Sequence, residues 1–341
     1  MIQFQCDYNE GCHPKILERL METNFEQTVG YGNDPHCANA RKLIREICEA
    51  PNADVHFLVG GTQTNATIIS SILKPYQCVI CADTGHINVH ETGAIEHGGH
   101  KCFALPGKDG LITASQIEKV LKTHFEDDEP EHCVQPGLVY ISFSSEYGTI
   151  YSSTELQLIS EVCHSYGIPL MIDGARMGYA LMSEECDITL PELAQLADVF
   201  YLGGTKQGAL FGEAVVIMND NLKKDFRYNI KQGGGMLAKG RLLGIQFETL
   251  FTDNLYFDIA RHADHEAMRI KKALQENGYP FLIESPTNQQ FPILPNDLIE
   301  ELSKDFLFSA WEKVDEDHTC IRICTSWATK SENVDKLIAM L

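Results

Sequence analysis

The feature of this sequence that most constrains its fold is the regular alternation of short apolar segments with longer helical patterns. The apolar segments are rich in β-branched and aromatic residues, and most are separated from the next by an amphipathic stretch. This alternation is typical of an α/β domain, in which helices cover both faces of a mostly parallel sheet. Strands are predicted at 55–60, 78–82, 100–105, 138–143, 169–173, 199–204 and 213–218, with helices from about 62, at 114–124, from 153 and at 190–197.

The pattern changes after residue 250. A long amphipathic helix is predicted over 257–277, where Gly278 stops it, and three short strand-like segments (NQQFPIL, FLFSAW and CIRICTSW) and a closing helix from 331 follow. With 341 residues the chain exceeds the usual size of one hydrophobic core. We therefore expect a large domain at 19–250, a small α+β domain at 251–341, and an N-terminal segment at 1–18 that packs with the small domain.

The charge of the chain favours small-molecule partners. Asp and Glu number 48 against 27 Lys and Arg, which gives a formal net charge of −21. Such a charge opposes binding to nucleic acid or to an anionic membrane. The sequence has no run of about 18 apolar residues and no leader-like start, so we expect a cytoplasmic protein. Its twelve cysteines are scattered, and Cys78-x-x-Cys81 has no second pair nearby, so we predict reduced thiols and no metal site.

Ligands of open α/β sheets gather where strands end, and three predicted strand ends carry unusual residues. The first is VGGTQTN (59–65), in which a strand passes through Gly60 and Gly61 into Thr62 at the start of a helix. Free N–H groups of a first helical turn form a site for an anion such as a phosphate. An ordinary threonine-capped turn explains the segment equally well. It is neither a dinucleotide fingerprint nor a nucleotide phosphate loop.

The other two strand ends carry Asp173, in LMIDGARMG, and Lys206, in YLGGTKQGALFGEAVVIM. A carboxylate at the end of a buried strand needs a cation or a strong donor, and the simplest explanations for Asp173 are a pair with Arg176 or a helix cap. A partly buried lysine has a depressed pKa and becomes nucleophilic, although Lys206 could also be an ordinary turn residue. Together, an anion cradle, a carboxylate and a nucleophilic lysine match the phosphate, ring nitrogen and aldehyde of pyridoxal phosphate.

The chain resembles the threonine aldolase and β-eliminating lyase group of fold-type I pyridoxal-phosphate enzymes over nearly its whole length. Six segments carry the resemblance, and they occur in the order of the family's motifs. They are GYGNDPHCANARKLIREIC (30–48), GGTQTN (60–65), GHINVHETGA (85–94), IDGAR (172–176), GGTKQGALFGEAVV (203–216) and IRICTSW (321–327). The resemblance implies a mostly parallel seven-stranded sheet between helices, a small C-terminal domain, and bound pyridoxal 5'-phosphate.

The resemblance also implies a set of roles around that cofactor. Lys206 would form the Schiff base, Asp173 would pair with the pyridine nitrogen, and His86 would stack on the ring. Gly61 and Thr62 would hold the phosphate.

Further roles follow for the substrate. Arg322, with help from Arg176, would bind the α-carboxylate of an amino acid, Tyr31 would line the site, and Cys6 stands where the family has a serine that supports carboxylate binding. Arg322 alternates with Ile321 and Ile323, so an exposed strand face is the other explanation for it. Arg227 and Lys231 are candidates for the family's phosphate-contacting arginine.

The chain departs from the family pattern where the substrate side chain would lie. Glu146, in SSEYGT, or a neighbour of it replaces a histidine of the threonine aldolases, and Met171 replaces the histidine before Asp-Gly-Ala-Arg. The expected activity is the cleavage of L-threonine, L-allo-threonine or a related β-hydroxy-α-amino acid to glycine and an aldehyde, with His86 or Glu146 as the base.

Two other activities remain open from the sequence, together with the oligomeric state. In a β-elimination, Lys206 would remove the α-proton of a β-substituted amino acid. A binding protein without catalysis, with or without the cofactor, is the other alternative. The family implies a homodimer or homotetramer with shared active sites, in which the QGGGM segment reaches a neighbouring subunit.

Overall fold

A computed structural model describes all residues from Met1 to Leu341. It contains thirteen strands, with these bounds: β1 (Ile2–Gln3), β2 (Asp54–Leu58), β3 (Gln77–Ala82), β4 (Lys101–Leu105), β5 (Gln135–Ser142), β6 (Leu170–Asp173), β7 (Val199–Gly203), β8 (Glu213–Ile217), β9 (Phe281–Ile283), β10 (Gln289–Pro295), β11 (Phe306–Leu307), β12 (Ser309–Lys313) and β13 (His318–Cys324).

Fourteen α-helices connect and cover these strands. They are α1 (Pro14–Glu22), α2 (Pro35–Ile47), α3 (Gly61–Ile72), α4 (His86–Val89), α5 (Ala94–His97), α6 (Ala114–Phe125), α7 (Ser153–Ser165), α8 (Met177–Met182), α9 (Leu190–Leu196), α10 (Phe226–Gln232), α11 (Arg241–Leu250), α12 (Leu255–Glu276), α13 (Asn296–Leu302) and α14 (Ser331–Ile338). None of these helices is long and apolar enough to cross a bilayer.

The seven central strands form one sheet in the order β2-β8-β7-β6-β5-β3-β4. Strand β8 runs antiparallel to its neighbours β2 and β7, and all other pairs are parallel. The expected fold class, a mostly parallel seven-stranded sheet with a small second sheet, is confirmed. Because the parallel strands share one direction, their carboxyl ends meet at a single edge, and Asp173 ends β6 at that edge.

Helices bury both faces of the sheet, which explains why its strands read as continuous apolar runs. Strand β5 illustrates this arrangement. Val139 and Ile141 join a core of 46 buried residues on one face, while Leu138 and Tyr140 join a second core of 18 buried residues on the other.

The C-terminal part carries a second, antiparallel sheet in the order β12-β13-β10-β9. The N-terminal strand β1 pairs in parallel with β11, so the first residues of the chain lie against this part. Phe4 is buried there with Phe306 and Ile321, in a third core to which α12 also contributes. The division of the chain at residues 18 and 250 stays a prediction.

Local signals in the sequence account for several boundaries. Ser152 and Glu155 form a reciprocal capping box at the start of α7, where the sequence predicts the helix to begin. Gly278, with φ of +79°, follows α12 in the left-handed conformation that suits glycine at a helix end.

The prediction of a single strand over FLFSAW is wrong. The segment divides at Phe308 into β11, which pairs with β1, and β12, which pairs with β13. The chain changes partner strands at that point, and Phe308 packs on Phe4 and Phe306.

Candidate active site

A cavity of about 270 Å³ opens at the carboxyl edge of the large sheet. It is lined by residues from all three of the strand ends that the sequence analysis identifies. The lining consists of Tyr8, Val59, Gly60, Gly61, Thr62, His86, Ser142, Ser144, Glu146, Asp173, Ala175, Arg176, Tyr201, Thr205, Lys206, Phe211 and Glu213. The structure therefore brings together seven of the predicted site residues: Gly61, Thr62, His86, Glu146, Asp173, Arg176 and Lys206.

One wall of the cavity is the start of α3. Gly60 precedes the helix in an extended conformation and makes no side-chain cap, so the alternative of a threonine-capped turn is wrong. The first N–H groups of a helix have no partner inside it, and the helix dipole places partial positive charge there. Gly61 and Thr62 thus present an anion-binding helix end to the cavity.

Asp173 lies on the floor of the cavity with its carboxylate fixed on both oxygens. Oδ2 accepts hydrogen bonds from the Tyr140 hydroxyl at 2.5 Å and from Asn65 Nδ2 at 3.1 Å, and Oδ1 accepts from Ala175 N at 3.0 Å. Burial alone would raise the pKa of Asp173, but the nearby charge of His86 and hydrogen bonding from Tyr140, Tyr201 and Ala175 together lower it below its ordinary value. Asp173 is therefore an anion, as a partner for a protonated ring nitrogen must be.

Lys206 lies in the turn between β7 and β8 and faces the same cavity. Tyr179 donates from its hydroxyl to the Lys206 carbonyl, which anchors the backbone of the turn. Burial lowers the pKa of the Lys206 ammonium, and Arg176 adds to this effect, while Asp7, Asp173 and Glu213 oppose it. The result is an amine more readily deprotonated than an exposed lysine, as a nucleophile requires.

His86 is held by a carboxylate that the sequence did not identify. Its Nδ1 lies 2.8 Å from Oε1 of Glu91, a buried residue that also accepts from Asn65 Nδ2 at 2.8 Å. Since a carboxylate oxygen accepts, Nδ1 carries a proton, and Nε2 is then the acceptor nitrogen of the neutral imidazole. Asn65 in turn links Glu91 to Asp173, so one buried network orients both the histidine and the aspartate.

Glu146 stands beside His86 on the cavity wall. Its Oε1 accepts from the backbone N–H of His86 at 2.9 Å and from the Ser142 hydroxyl at 3.0 Å. Burial and the nearby charge of Asp173 raise the pKa of Glu146 above its ordinary value. A carboxyl group with a raised pKa can accept and return a proton closer to neutral pH, which suits an acid–base role.

Arg176 is buried and paired with Asp7 of the N-terminal segment. Its Nε donates to Asp7 Oδ2 at 2.7 Å and its Nη2 to Oδ1 at 3.0 Å, and Asn288 Nδ2 adds a third donor to Oδ2 at 3.0 Å. Arg176 therefore pairs with Asp7 and not with Asp173. The Asp173–Arg176 pair considered from the sequence is wrong. The bidentate pair fixes residues 6–8 over the cavity and leaves Nη1 of Arg176 without a contact to Asp7.

Replacing Asp7 with alanine is expected to lower the free energy of unfolding by about 3–5 kcal/mol, since it leaves the buried Arg176 charge uncompensated. Urea unfolding of the cofactor-free protein measures this. The control is Asp258→Ala, which breaks an exposed pair with Arg261 and should cost less than about 1 kcal/mol. Equal, small losses in both variants would contradict the buried-pair interpretation.

Arg322 and Cys6 lie close to the cavity but outside its lining. Arg322 Nη2 donates to the Gln5 carbonyl at 2.9 Å, and its guanidinium lies 5.4 Å from the centre of the Trp311 ring. Arg322 Nε is buried without a hydrogen-bond partner. The thiol of Cys6 donates to Asn9 Oδ1 at 3.0 Å.

Tyr31, Arg227 and Lys231 lie elsewhere within the chain, away from the Lys206 cavity. Arg227 Nη2 donates to the Tyr31 carbonyl at 3.1 Å, and Lys231 Nζ lies 4.8 Å from the centre of the Tyr31 ring. Tyr31 and Arg227 line a second, separate pocket. The structure thus divides the predicted site residues into a group at the cavity and a cationic group around Tyr31.

The cavity residues fit pyridoxal phosphate. The Lys206 amine, which has only Coulombic interactions with its neighbours, is free to bind an aldehyde. The anion of Asp173 suits a pyridinium nitrogen, the start of α3 suits a phosphate, and His86 contributes a flat ring to the same lining. The aldehyde, ring nitrogen and phosphate of the cofactor thus each have a chemically suitable partner in one cavity.

Comparison with known proteins agrees with this geometry. A family model for beta-eliminating lyases matches residues 4–295. A low-specificity L-threonine aldolase of a Pseudomonas strain is 30% identical over 346 residues, which cover 99% of this chain and 96% of that protein. The structure of a Leishmania major threonine aldolase is 45% identical, with a TM-score of 0.97 over 99% of this chain and 98% of that one.

A more distant likeness shows the fold alone. A Thermus thermophilus aspartate aminotransferase is 12% identical, with a TM-score of 0.71, and covers all of this chain and 90% of its own.

The chain belongs to the beta-eliminating lyase family, within the fold-type I pyridoxal-phosphate enzymes. The protein is accordingly a pyridoxal-phosphate-dependent carbon–carbon lyase.

Proposed function

We propose that this protein cleaves L-threonine, L-allo-threonine or a related β-hydroxy-α-amino acid to glycine and an aldehyde. The observation that carries the proposal is the placement of His86 and Glu146 together on the wall of the cavity that holds Lys206 and Asp173. An aldol cleavage needs a base for the β-hydroxyl proton, and both side chains are suited to accept one. The similarity to the Pseudomonas and Leishmania threonine aldolases supports the same activity.

Three parts of the chain would hold the cofactor. Lys206 would bind its aldehyde covalently, Asp173 would hold a proton on its ring nitrogen, and the start of α3 at Gly61 and Thr62 would bind its phosphate. When bound, pyridoxal phosphate draws electrons from a bond to the α-carbon of an amino acid into its protonated ring. The lowered pKa of Asp173 keeps its carboxylate charged over the physiological pH range, so Asp173 would favour that proton on a bound cofactor.

The protein residues would supply the proton transfers. The hydrogen bond from His86 Nδ1 to Glu91 leaves Nε2 of the neutral imidazole as the proton acceptor. Glu146, which accepts from the backbone N–H of His86, would act directly or through a water molecule. Fixing the substrate carboxylate decides which bond of the α-carbon is placed for cleavage.

Arg322, with Arg176, is the proposed carboxylate clamp. The buried, unpartnered Nε of Arg322 supports this role, as does its position beside the N-terminal segment that carries Tyr8 to the cavity. Arg322→Ala should raise the KM for the amino acid about 10- to 100-fold, because the substrate carboxylate loses the binding free energy of its charge-assisted hydrogen bonds. The visible absorption of the bound cofactor should stay unchanged.

Steady-state kinetics test the clamp, with Arg261→Ala as a control that removes an exposed arginine of α12. A KM for Arg322→Ala equal to that of the control would show that the substrate carboxylate binds elsewhere.

A substrate panel tests the proposed reaction. The purified protein with cofactor is given L-threonine, L-allo-threonine, β-phenylserine and β-substituted alanines, and the products are assayed for aldehyde, glycine and pyruvate. Aldehyde and glycine from a hydroxy amino acid are expected. Pyruvate from the substituted alanines, with no aldehyde from any hydroxy amino acid, would instead identify a β-eliminating lyase in which Lys206 removes the α-proton.

The same proposal includes a homodimer or homotetramer with shared active sites. Large apolar side chains near α1 are exposed, among them Met21 at 78%, Phe25 at 94% and Val29 at 67%. Burial of such a patch against another subunit is favourable. Arg227 and Lys231, the cationic residues around Tyr31, are then available to the cavity of a neighbouring subunit. The lining of that cavity has no arginine or lysine besides Arg176 and Lys206. Light scattering tests this assembly, and a stable monomer at full activity would contradict it.

A further inference from the structure

A buried carboxylate lies beneath the turn that carries Lys206. Glu213 is the first residue of β8, is only 3% exposed, and faces Gly203 of β7 across the sheet. It lines the same cavity as Lys206 and Asp173. A glutamate is costly at such a position, since burial penalises its charge, so its contacts bear on why it is there.

Both oxygens of Glu213 bind the two residues that precede Lys206. Oε2 accepts from the backbone N–H of Gly204 at 3.0 Å, and Oε1 accepts from the Thr205 hydroxyl at 2.9 Å. Gly212 N donates to the same Thr205 oxygen at 3.0 Å, which closes the turn. A glutamine can accept from the Gly204 N–H with its amide oxygen and donate from its NH₂ group to the Thr205 hydroxyl oxygen, so closing the turn does not by itself require a charge.

The hydrogen-bond donors to Glu213 are neutral, and no cationic side chain of the protein is bound to it directly. The charged groups that act on Lys206 are Arg176, Asp7, Asp173 and Glu213. Asp7 is bound directly to the guanidinium of Arg176, and Asp173 would be matched by the ring nitrogen of the cofactor. Glu213 has no such cation of its own, so Lys206 is the positive group left for it.

The pKa of Glu213 lies near neutral pH, so its charge can change at the pH values at which the protonation of an amine nucleophile is important. Burial raises its pKa to about 7, while Thr205, Gly204 and Lys206 act in the opposite direction. A positive charge on the Lys206 nitrogen and a negative charge on Glu213 therefore favour one another, and removing either weakens the other.

We propose that Glu213 is a positioning residue for Lys206, whose carboxylate fixes the turn and supplies the negative charge that keeps a proton on the Lys206 nitrogen. The proposal rests on the proposed function, in which Lys206 is the residue that binds the cofactor. It assigns a separate task to Glu213, because a residue that only closed the turn would not need to be charged.

The test compares two variants that disturb the turn differently. Glu213→Gln removes the charge with little change in volume, whereas Thr205→Val removes both hydrogen bonds of the Thr205 hydroxyl and leaves the carboxylate in place. The measurement is the pH midpoint of the change in visible absorption of the cofactor-bound protein, between pH 5.5 and 9.5. Circular dichroism and thermal unfolding check that each variant is folded.

In Glu213→Gln the midpoint should fall by about one pH unit, the size of effect expected from losing one nearby opposite charge. In Thr205→Val it should stay within a few tenths of a unit of the wild-type value. Equal midpoints in the wild type and Glu213→Gln would overturn the proposal. So would an equal fall in both variants, since it would show that only the shape of the turn matters.

Glu213→Asp serves if the glutamine variant does not fold. It keeps the charge but withdraws it by one methylene, so a smaller fall of the midpoint is expected, and an unchanged midpoint would overturn the proposal. The proposed function fails in a different way, because the wild-type protein would then show no lysine-bound cofactor absorption at all.

Discussion

Replacing Lys206 with alanine is expected to abolish the visible absorption of the lysine-bound cofactor and to lower the cleavage rate by at least about a thousandfold. The reason is that Lys206 is the one amine on the cavity wall, where its lowered pKa makes it available for covalent bonding. Absorbance spectra and aldehyde release under saturating substrate measure the two effects.

Lys271→Ala is the matched control for this substitution. Lys271 is also largely buried, with 13% of its side chain exposed, but it pairs with Glu284, and neither residue lines the cavity. It should change stability and leave both the spectrum and the cleavage rate near the wild-type values. If Lys206→Ala keeps its absorption and rate while Lys271→Ala loses them, the covalent lysine has been assigned to the wrong residue.

Replacing Asp173 with asparagine is expected to lower the cleavage rate by about 100- to 1,000-fold, the range seen when one preorganised electrostatic partner of a reaction is lost. Asparagine keeps the shape and part of the hydrogen bonding with Tyr140 and Ala175, but it cannot hold a positive charge on the ring nitrogen. The covalent bond to Lys206 should still form, so absorption remains while the rate falls.

The control for Asp173 is Asp198→Asn, at the opposite end of the sheet. Asp198 is buried as well, and its Oδ2 accepts from Leu170 N at the start of β6. Because Asp198 stands before β7 and Asp173 ends β6, the control disturbs the sheet without touching the cavity. A similar loss of rate in both variants, measured at equal cofactor occupancy, would show that Asp173 acts through stability alone.

The sequence predicts the part of the site that lies in continuous motifs. Asp173 and Lys206 each stand at the end of an apolar strand, and Gly61 and Thr62 stand at a strand-to-helix junction, so the rule that parallel strands end at one edge brings them together. The helices α6, α7 and α9 are predicted to within a few residues, because their periodicity and capping residues are local.

The residues that the sequence did not identify act through contacts between distant segments. Asp7 meets Arg176 across 169 positions, and Asn65 meets Asp173 across 108. Glu91 is only five residues from His86, and that spacing on a short helical turn is a signal that could have been used. Glu213 stands only seven residues after Lys206, yet its burial beneath the turn is set by the pairing of β7 with β8.

The division of roles between His86 and Glu146, the clamp at Arg322, the assembly of subunits and a cytoplasmic location stay predictions. Tyr31 illustrates why sequence order alone does not fix a site, because its motif matches the family but its side chain lies at a separate pocket of the same chain.

The most direct test of the central claim is to treat the cofactor-bound protein with sodium borohydride and to map the modified peptide by mass spectrometry. The account predicts one reduced cofactor adduct, on Lys206 within the turn between β7 and β8. An adduct on any other lysine, or none on a protein that shows the cofactor's absorption, would contradict it.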